Sequence, residues 1–478
     1  VSTDRAEVAA YLQAHKEENI ARTREYLRQP TVSSNGRGIR EGAELLTGYL
    51  RELGCQEVTL LETAGYPGVW AYLDSGAKHT LISYCMYDTK PAREDLWPVP
   101  PFAAALEDLP GLGRAVLAPG AKSRKAPYIQ WLNALRAVLA VRGKLPVNIA
   151  FLAEGEENLG SPHYGDFIDQ YRDRLKGAVG CLAPGACQGR DGNVEIHLGH
   201  KGLLYLKLTA SGRSWGRGPQ ATSGHGMAQT LVDSPVWHLV AALNVLYNPD
   251  QDRVLVPGFY DQLRPPTAQE SAEIHELATQ FRDLPWQKVL PGIAGAKTSR
   301  DMLSHEEAFE RYLYGPSFNI NGIAAGYTGP GSPVFTLPNE AFAQFDIRLP
   351  RGYRTREVAD LIRRHLDAEG FGDIELEVLA AHDPARTPVD SPFVRAWDAL
   401  IREQVKQVEY WPYSGGGGPW SKFTSDFGIP VLFDAGLGHG GKAGGPGEFL
   451  VLESEGPIAD SVACEAFYAE FLDRVADL

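Results

Sequence analysis

After Gly199-His200-Lys201-Gly202 the texture of the chain changes, and from about Thr387 it changes back. Before the change, residues 41–53 and 128–141 space their apolar side chains as helices do. Residues 69–73, 80–84 and 145–152 (LPVNIAFL) are short apolar runs bounded by breakers, the pattern of buried strands. This alternation predicts an α/β domain with a largely parallel sheet. After the change, LLYLKLTASG alternates as a strand with one exposed face. Residues 234–246 then read as a helix opened by Ser-Pro, residues 335–348 alternate again, and residues 355–368 are helical. That order predicts an inserted α+β domain. The first texture returns with a helix at 393–404, a strand at 430–433 and a closing helix to Leu478. The expected organisation is one domain in two parts, 1–202 and 386–478, interrupted by 203–385. A length of 478 residues also predicts two domains.

Charge and cysteines narrow the function. A net charge of −14 argues against nucleic-acid and anionic-membrane partners, which require a basic face. Five dispersed cysteines, Cys55, Cys85, Cys181, Cys187 and Cys464, contain no CxxC pair. They predict neither a disulfide framework nor a zinc knot, and they favour a reducing compartment, the cytoplasm. The opening segment VSTDRAEVAAYLQAHKEENIARTREYL reads as a charged amphipathic helix rather than a secretion signal, and no apolar run reaches the ~18 residues of a membrane span.

Chemistry-bearing residues follow the apolar strands. In FLAEGEENLGSPH, Glu154, Glu156 and Glu157 stand where open α/β sheets bind ligands. An isolated Glu-Glu pair is most often a solvated turn; its place after a buried strand points to a site. Asp88 follows another strand in LISYCMYDTKPA, where a cap is the plain alternative. Cys85 beside it has no neighbouring His to activate it as a nucleophile. His225 in TSGHGMAQ and His439 in GLGHGGKAGG lie in Gly-rich contexts, and residues 414–418 (SGGGG) suit a loop approaching a ligand. The chain has no HExxH, GxSxG, phosphate-loop or dinucleotide fingerprint.

Five segments together resemble the zinc exopeptidase family of aminoacylases, carnosinase-type dipeptidases and carboxypeptidase G. LISYCMYDTKPA resembles that family's Y-G-H-Y-D-V-Q-P, GAKSRKAP its G-A-S-D-D-K-G-P, FLAEGEENLGS its E-G-E-E-x-x-G-S, and GGPGEFL its H-x-P-N-E-x-x. FNINGIAAGYTGPGSPVFTLPNEAFAQFDIRLP is similar to its lid-domain block. The resemblance implies a phosphorylase/hydrolase-like catalytic domain interrupted by a ferredoxin-like lid that dimerises, giving a homodimer. It implies a small amino-acid or dipeptide-like substrate. It assigns Glu156 as general base, His225 as the lid's contribution to catalysis, Arg348 as the residue holding a terminal carboxylate, Asn319 as a pocket residue, and Gly416 and Gly417 as part of a substrate-bordering loop.

The same resemblance removes the metal. The ligand positions carry Met86, Ser123, Pro184 and Gly444, and Glu157 alone keeps a ligand-type side chain. Asp88 keeps the Asp of H-x-D. Thioether, hydroxyl and side chains without donors cannot supply the three or four N, O or S donors that zinc requires. No cofactor is therefore expected. Lys122 and Arg124 flank one lost ligand and Lys442 lies near another, so fixed cations are expected in place of the metals, close to Asp88, Glu156 and Glu157. Three readings follow. The first is a metal-independent enzyme acting on an amide-type bond of a carboxylate-bearing amino-acid derivative, by hydrolysis, cyclisation or acyl transfer. The second is a non-catalytic relative that binds such a ligand or a partner. The third is a metallopeptidase with ligands relocated to His439, Asp88 or Cys85.

Overall fold

The computed structural model describes residues 2–284, 289, 303–327, 329 and 335–478, so 328 and 330–334 of the lid-like block lie outside the described residues. The chain divides into two compact units, one of Val1–Gly199, Arg386–Pro412 and Pro419–Leu478, the other of His200–Ala385 and Tyr413–Gly418. The first break falls at residue 200 where texture placed it at 203. Tyr413–Gly418, expected in the second part of the interrupted domain, goes with the insert. Local pairing is the reason: Ser414 forms a parallel bridge with His200, and the Ser414 carbonyl accepts from Lys201 N at 3.4 Å.

In the first unit a six-stranded sheet runs in spatial order Glu57–Leu61, Gly68–Leu73, Asn148–Glu154, Thr80–Met86, Gly180–Pro184, Val431–Ala435. The first two joints are antiparallel and the remaining three parallel. Asn148–Glu154 is buried at all seven positions, which its unbroken apolar run foretells for a strand covered on both faces. The helix Lys125–Arg142 is buried nearly all round because the helices Lys16–Arg28 and Ser461–Ala476 both pack on it. Gly143, in the left-handed conformation, ends it, and Arg142 anchors that end to Asp473 at 2.6 Å. The expected single opening helix is two, Ser2–Ala14 and Lys16–Arg28, broken at His15, whose ring donates to the Tyr11 carbonyl at 2.8 Å.

The second unit has the order strand Gly202–Ser211, helix Pro235–Leu246, strands Ser317–Ala325 and Glu340–Leu349, helix Thr355–Ala368, strand Glu375–His382. Its antiparallel sheet places Gly202–Ser211 between Glu340–Leu349 and Glu375–His382, with Ser317–Ala325 outermost beside Glu340–Leu349. This is the ferredoxin-like arrangement. Gly202–Ser211 and Glu340–Leu349 alternate buried and partly exposed residues, and Thr355–Ala368 buries Thr355, Val358, Ala359, Ile362 and Leu366 at helical spacing. The alternation over 335–348 belongs to two strands. Thr336–Leu337 pairs with Gly224–His225, and Pro338 separates it from Glu340–Leu349 because proline cannot donate to a ladder. Among the described residues no helix is long and apolar enough to cross a membrane, and the five cysteines are free thiols.

Candidate active site

The parallel strands of the first unit end together, and the segments following them bound a cleft of about 230 Å³. It is lined by Met86, Lys90, Lys122, Ser123, Arg124, Glu157, Asn158, Phe433, Asp434, Ala443 and Gly444. Met86, Ser123, Glu157 and Gly444, four of the positions matched to metal ligands, thus converge on one place. The fifth, Pro184, presents its carbonyl oxygen to Arg124 Nη1 at 3.4 Å.

Asp434, which the sequence reading did not single out, stands at the centre of the charge. Lys122 Nζ donates to its Oδ2 at 2.9 Å and Arg124 Nη1 to its Oδ1 at 2.8 Å. The three side chains are 32%, 17% and 6% exposed respectively. Burial pushes the Asp434 carboxyl up, but the two cations outweigh it and hold its pKa down to about 2. Because that value lies below the ordinary aspartate range near ~3.9, the stabilisation is fully present above about pH 4 and is lost only as pH falls through about 2. Arg124 also lies over the Phe433 ring, 3.9 Å from its centroid. Arg124 (φ 78°) and Asp434 (φ 56°) both hold left-handed backbone conformations that side chains normally avoid, a strain that collects at functional sites. The cations expected close to Asp88, Glu156 and Glu157 pair instead with Asp434. Lys442 does not line the cleft; Lys90 does.

Adjacent glutamates take opposite directions. Glu156 turns away from the cleft to accept from the His163 ring at 2.8 Å, beside Gly65, where a Cβ would stand 2.0 Å from Glu156 Oε1. Glu157 lines the cleft. The turn that separates them is clamped by the buried Asp88 carboxylate, which accepts from Glu157 N at 3.2 Å, Asn158 N at 3.0 Å and Asn158 Nδ2 at 3.1 Å. Asp88 thus holds the turn through these hydrogen bonds and does not itself line the cleft. Glu154, fully buried, accepts from Tyr84 Oη at 2.7 Å and Ser161 Oγ at 2.9 Å, and burial raises its pKa well above the carboxylate range. It belongs to the core.

A second carboxylate missed by sequence, Glu448, joins two of the segments that line the cleft without lining it itself. Glu448 is 1% exposed. Its Oε1 accepts from Lys122 N at 2.8 Å and Ser123 N at 2.6 Å, and its Oε2 from Gly120 N and Gly444 N at 3.1 Å each. One side chain thus ties the 120–123 loop to the 444 loop.

The resemblance implies a pair of zinc ions, and the residues present do not fit them. Among the described residues no group of three or more His, Cys, Asp or Glu side chains is arranged to hold a metal. Asp434 is engaged by two cations. Gly444 (φ 66°) has no side chain, and a Cβ there would stand 3.1 Å from Lys90 Cδ and 3.3 Å from its Nζ. The relocated candidates are committed elsewhere: His439 Nδ1 donates to the Gln188 carbonyl at 2.7 Å, Cys85 is fully buried with its pKa raised by burial, and Asp88 is the clamp just described.

The remaining predicted residues lie in the second unit. Arg348 Nε donates to Asp346 Oδ2 at 2.9 Å, and Asn319 Nδ2 donates to Asp346 Oδ1 at 3.0 Å. Gly417 lies against the guanidinium, a Cβ there falling 3.1 Å from Arg348 Nη1, while Gly416 N donates to Ser414 Oγ at 3.1 Å. Arg348 also lines a cavity of about 750 Å³ together with Lys201, Arg253, Arg311 and Gly415. Lys201 is buried, its ammonium donates to the Gly315 carbonyl at 2.6 Å, and burial with help from Arg348 pushes its pKa down to about 7. His225 is exposed, its Nδ1 accepting from Met227 N at 3.2 Å, and it does not line that cavity.

Compared with known proteins, residues 87–474 match the model of peptidase family M20/M25/M40. The chain is 26% identical to the Cys-Gly metallodipeptidase dug1 of Schizosaccharomyces pombe over 298 residues, 62% of this chain and 58% of that protein. It is 27% identical to the Beta-Ala-His dipeptidase of Homo sapiens over 308 residues, 63% and 56% of the two chains. These matches span less than two thirds of either relative. Among solved structures, the M20 family metallo-carboxypeptidase Sso-CP2 of Sulfolobus solfataricus superposes with a TM-score of 0.82 at 29% identity over 96% of this chain and 100% of that one. Human carnosine dipeptidase 1 superposes at 0.77 over 99% and 100%, with 21% identity, a likeness of fold.

Proposed function

The chain belongs to peptidase family M20/M25/M40, and from that premise we propose a metal-independent enzyme that acts on the amide-type bond of a small, carboxylate-bearing amino-acid derivative or dipeptide. The observation that carries this reading is the converged cleft itself. Four ligand positions meet there without a donor set for zinc, yet the cleft keeps one carboxylate, Glu157, on a clamped turn and two cations held by Asp434. The relatives named above are, by their names, dipeptidases and a carboxypeptidase, which supports the substrate class.

Glu157 accepts a proton from the attacking nucleophile as it adds to the carbonyl carbon, then returns it to the leaving nitrogen. Lys122 and Arg124 place fixed positive charge where the carbonyl oxygen becomes negative, and their pairing with Asp434 holds them there in advance. Water without a metal is a weak nucleophile at neutral pH. A substrate carrying its own amine or hydroxyl, as in cyclisation or acyl transfer, is favoured over general peptidolysis. A cleft of about 230 Å³ is smaller than the ~300 Å³ at which drug-sized pockets begin, so it takes one amino-acid-sized group.

The test is turnover of a panel of dipeptides and N-acyl amino acids, followed by mass spectrometry, after exhaustive chelation and again after zinc, cobalt or manganese add-back. Equal rates in all preparations are expected. Activity abolished by chelation and restored by zinc would overturn the metal-independent reading and return the relatives' metallopeptidase chemistry. Replacing Arg348 by Ala removes a guanidinium able to hold a carboxylate by two hydrogen bonds; KM is expected to rise about 10–100-fold with kcat little changed. An unchanged KM would release Arg348 from that role.

A further inference from the structure

We infer that the cleft around Asp434 binds a small oxyanion, a carboxylate or phosphate-type group, received by Lys90 beside the Lys122–Arg124 pair. Three cations line the cleft against two carboxylates, Asp434 and Glu157. Asp434 is shared by two of those cations and leaves excess positive charge in a half-buried place. Lys90 is the third. Its ammonium has no hydrogen bond or ion pair to a described residue, and it occupies the space that a side chain at Gly444 would fill. A cation adjoining two others and without a carboxylate of its own attracts an incoming anion. Arg124 is 5% exposed and lines the cleft from a left-handed backbone position. Structure around an internal salt bridge alone does not require a third cation at its edge or the left-handed backbone that aims Arg124 at it.

This inference rests on placing the reaction of the proposed function in this cleft, but it does not require that reaction to occur. Calorimetric titration of the full chain with inorganic phosphate and, separately, with acetate reads it directly. Saturable binding is expected, weakened at least tenfold by Lys90→Ala and by added salt. It should be unchanged by Lys144→Ala, just past the far end of the 18-residue helix that starts at Lys125, roughly 27 Å away. Lys90 is exposed, so its loss leaves the fold intact. Phosphate binding alone identifies a phosphate-bearing ligand, and acetate binding alone a carboxylate. Absence of binding by both, or binding indifferent to Lys90→Ala, overturns the inference. A chain that binds the anion but turns over no substrate would sink the proposed reaction while leaving this site standing.

Discussion

Glu157→Gln lowers kcat by about 10²–10⁴-fold, the range of a positioned general base, while leaving the fold and KM nearly unchanged. The isostere keeps the size of the side chain and removes only its ability to take a proton. Asp88 continues to hold the turn through backbone N–H groups of residues 157 and 158, which the substitution does not touch. Glu156→Gln is the informative partner. Its carboxylate faces His163 outside the cleft, so its loss affects turnover little. Rates for both variants on the best substrate of the panel decide the assignment. If Glu156→Gln is the dead variant and Glu157→Gln is active, the roles of the two glutamates are the reverse of those drawn from the cleft.

The family resemblance gives the general-base role to Glu156, whereas Glu157 is the glutamate that lines the cleft. The pattern EGEENLGS identifies a polar turn after a buried strand, and that turn is where the structure has it. Which of two adjacent carboxylates faces the cleft depends on backbone direction through the turn, fixed by Asp88 from another strand and by the room that Gly65 leaves for Glu156. Neither contact is local in sequence. Asp434 escaped for a related reason. It follows the apolar run VLF near the end of the strand Val431–Ala435, a signal like that at Asp88, but its value comes from two cations more than 300 residues earlier and a left-handed φ that composition does not announce. Lys90 and Glu448 lie inside segments whose resemblance was noted, LISYCMYDTKPA and GGPGEFL, and stayed unremarked because their roles are to fill and to tie rather than to match a ligand. Two long helices were legible from their period alone. Periodicity placed residues 355–368 on the observed helix Thr355–Ala368, and residues 128–141 within Lys125–Arg142. It joined two strands across Pro338 because alternation continues in register through the break.

Glu448→Gln is expected to destabilise the first unit by about 3–5 kcal/mol, since each charge-assisted hydrogen bond is worth roughly 1.5–3 kcal/mol and several are lost together. The carboxylate accepts four backbone N–H donors, two on each oxygen. An amide offers one acceptor oxygen, and its NH₂ faces two of those donors with hydrogens of its own. The carboxylate and its bond to Gly120 N are buried and the other three bonds are half-buried, so water offsets only part of the loss. At ~2–4 °C per kcal/mol for a unit of this size, the melting transition should fall by about 10 °C. Glu455→Gln, an exposed glutamate seven residues on, is the matched control and should stay within about 0.5 kcal/mol of the parent. The two readouts separate stability from architecture. With the tie removed, the 120–123 loop no longer holds Lys122 and Arg124 against Asp434, so anion binding should weaken below the transition as well as the transition falling. A normal melting curve for Glu448→Gln would mean that the 120–123 and 444 loops are held by their own backbone geometry. In that case the cleft would be built by strain at Arg124 and Asp434, with the buried carboxylate merely filling the gap between them.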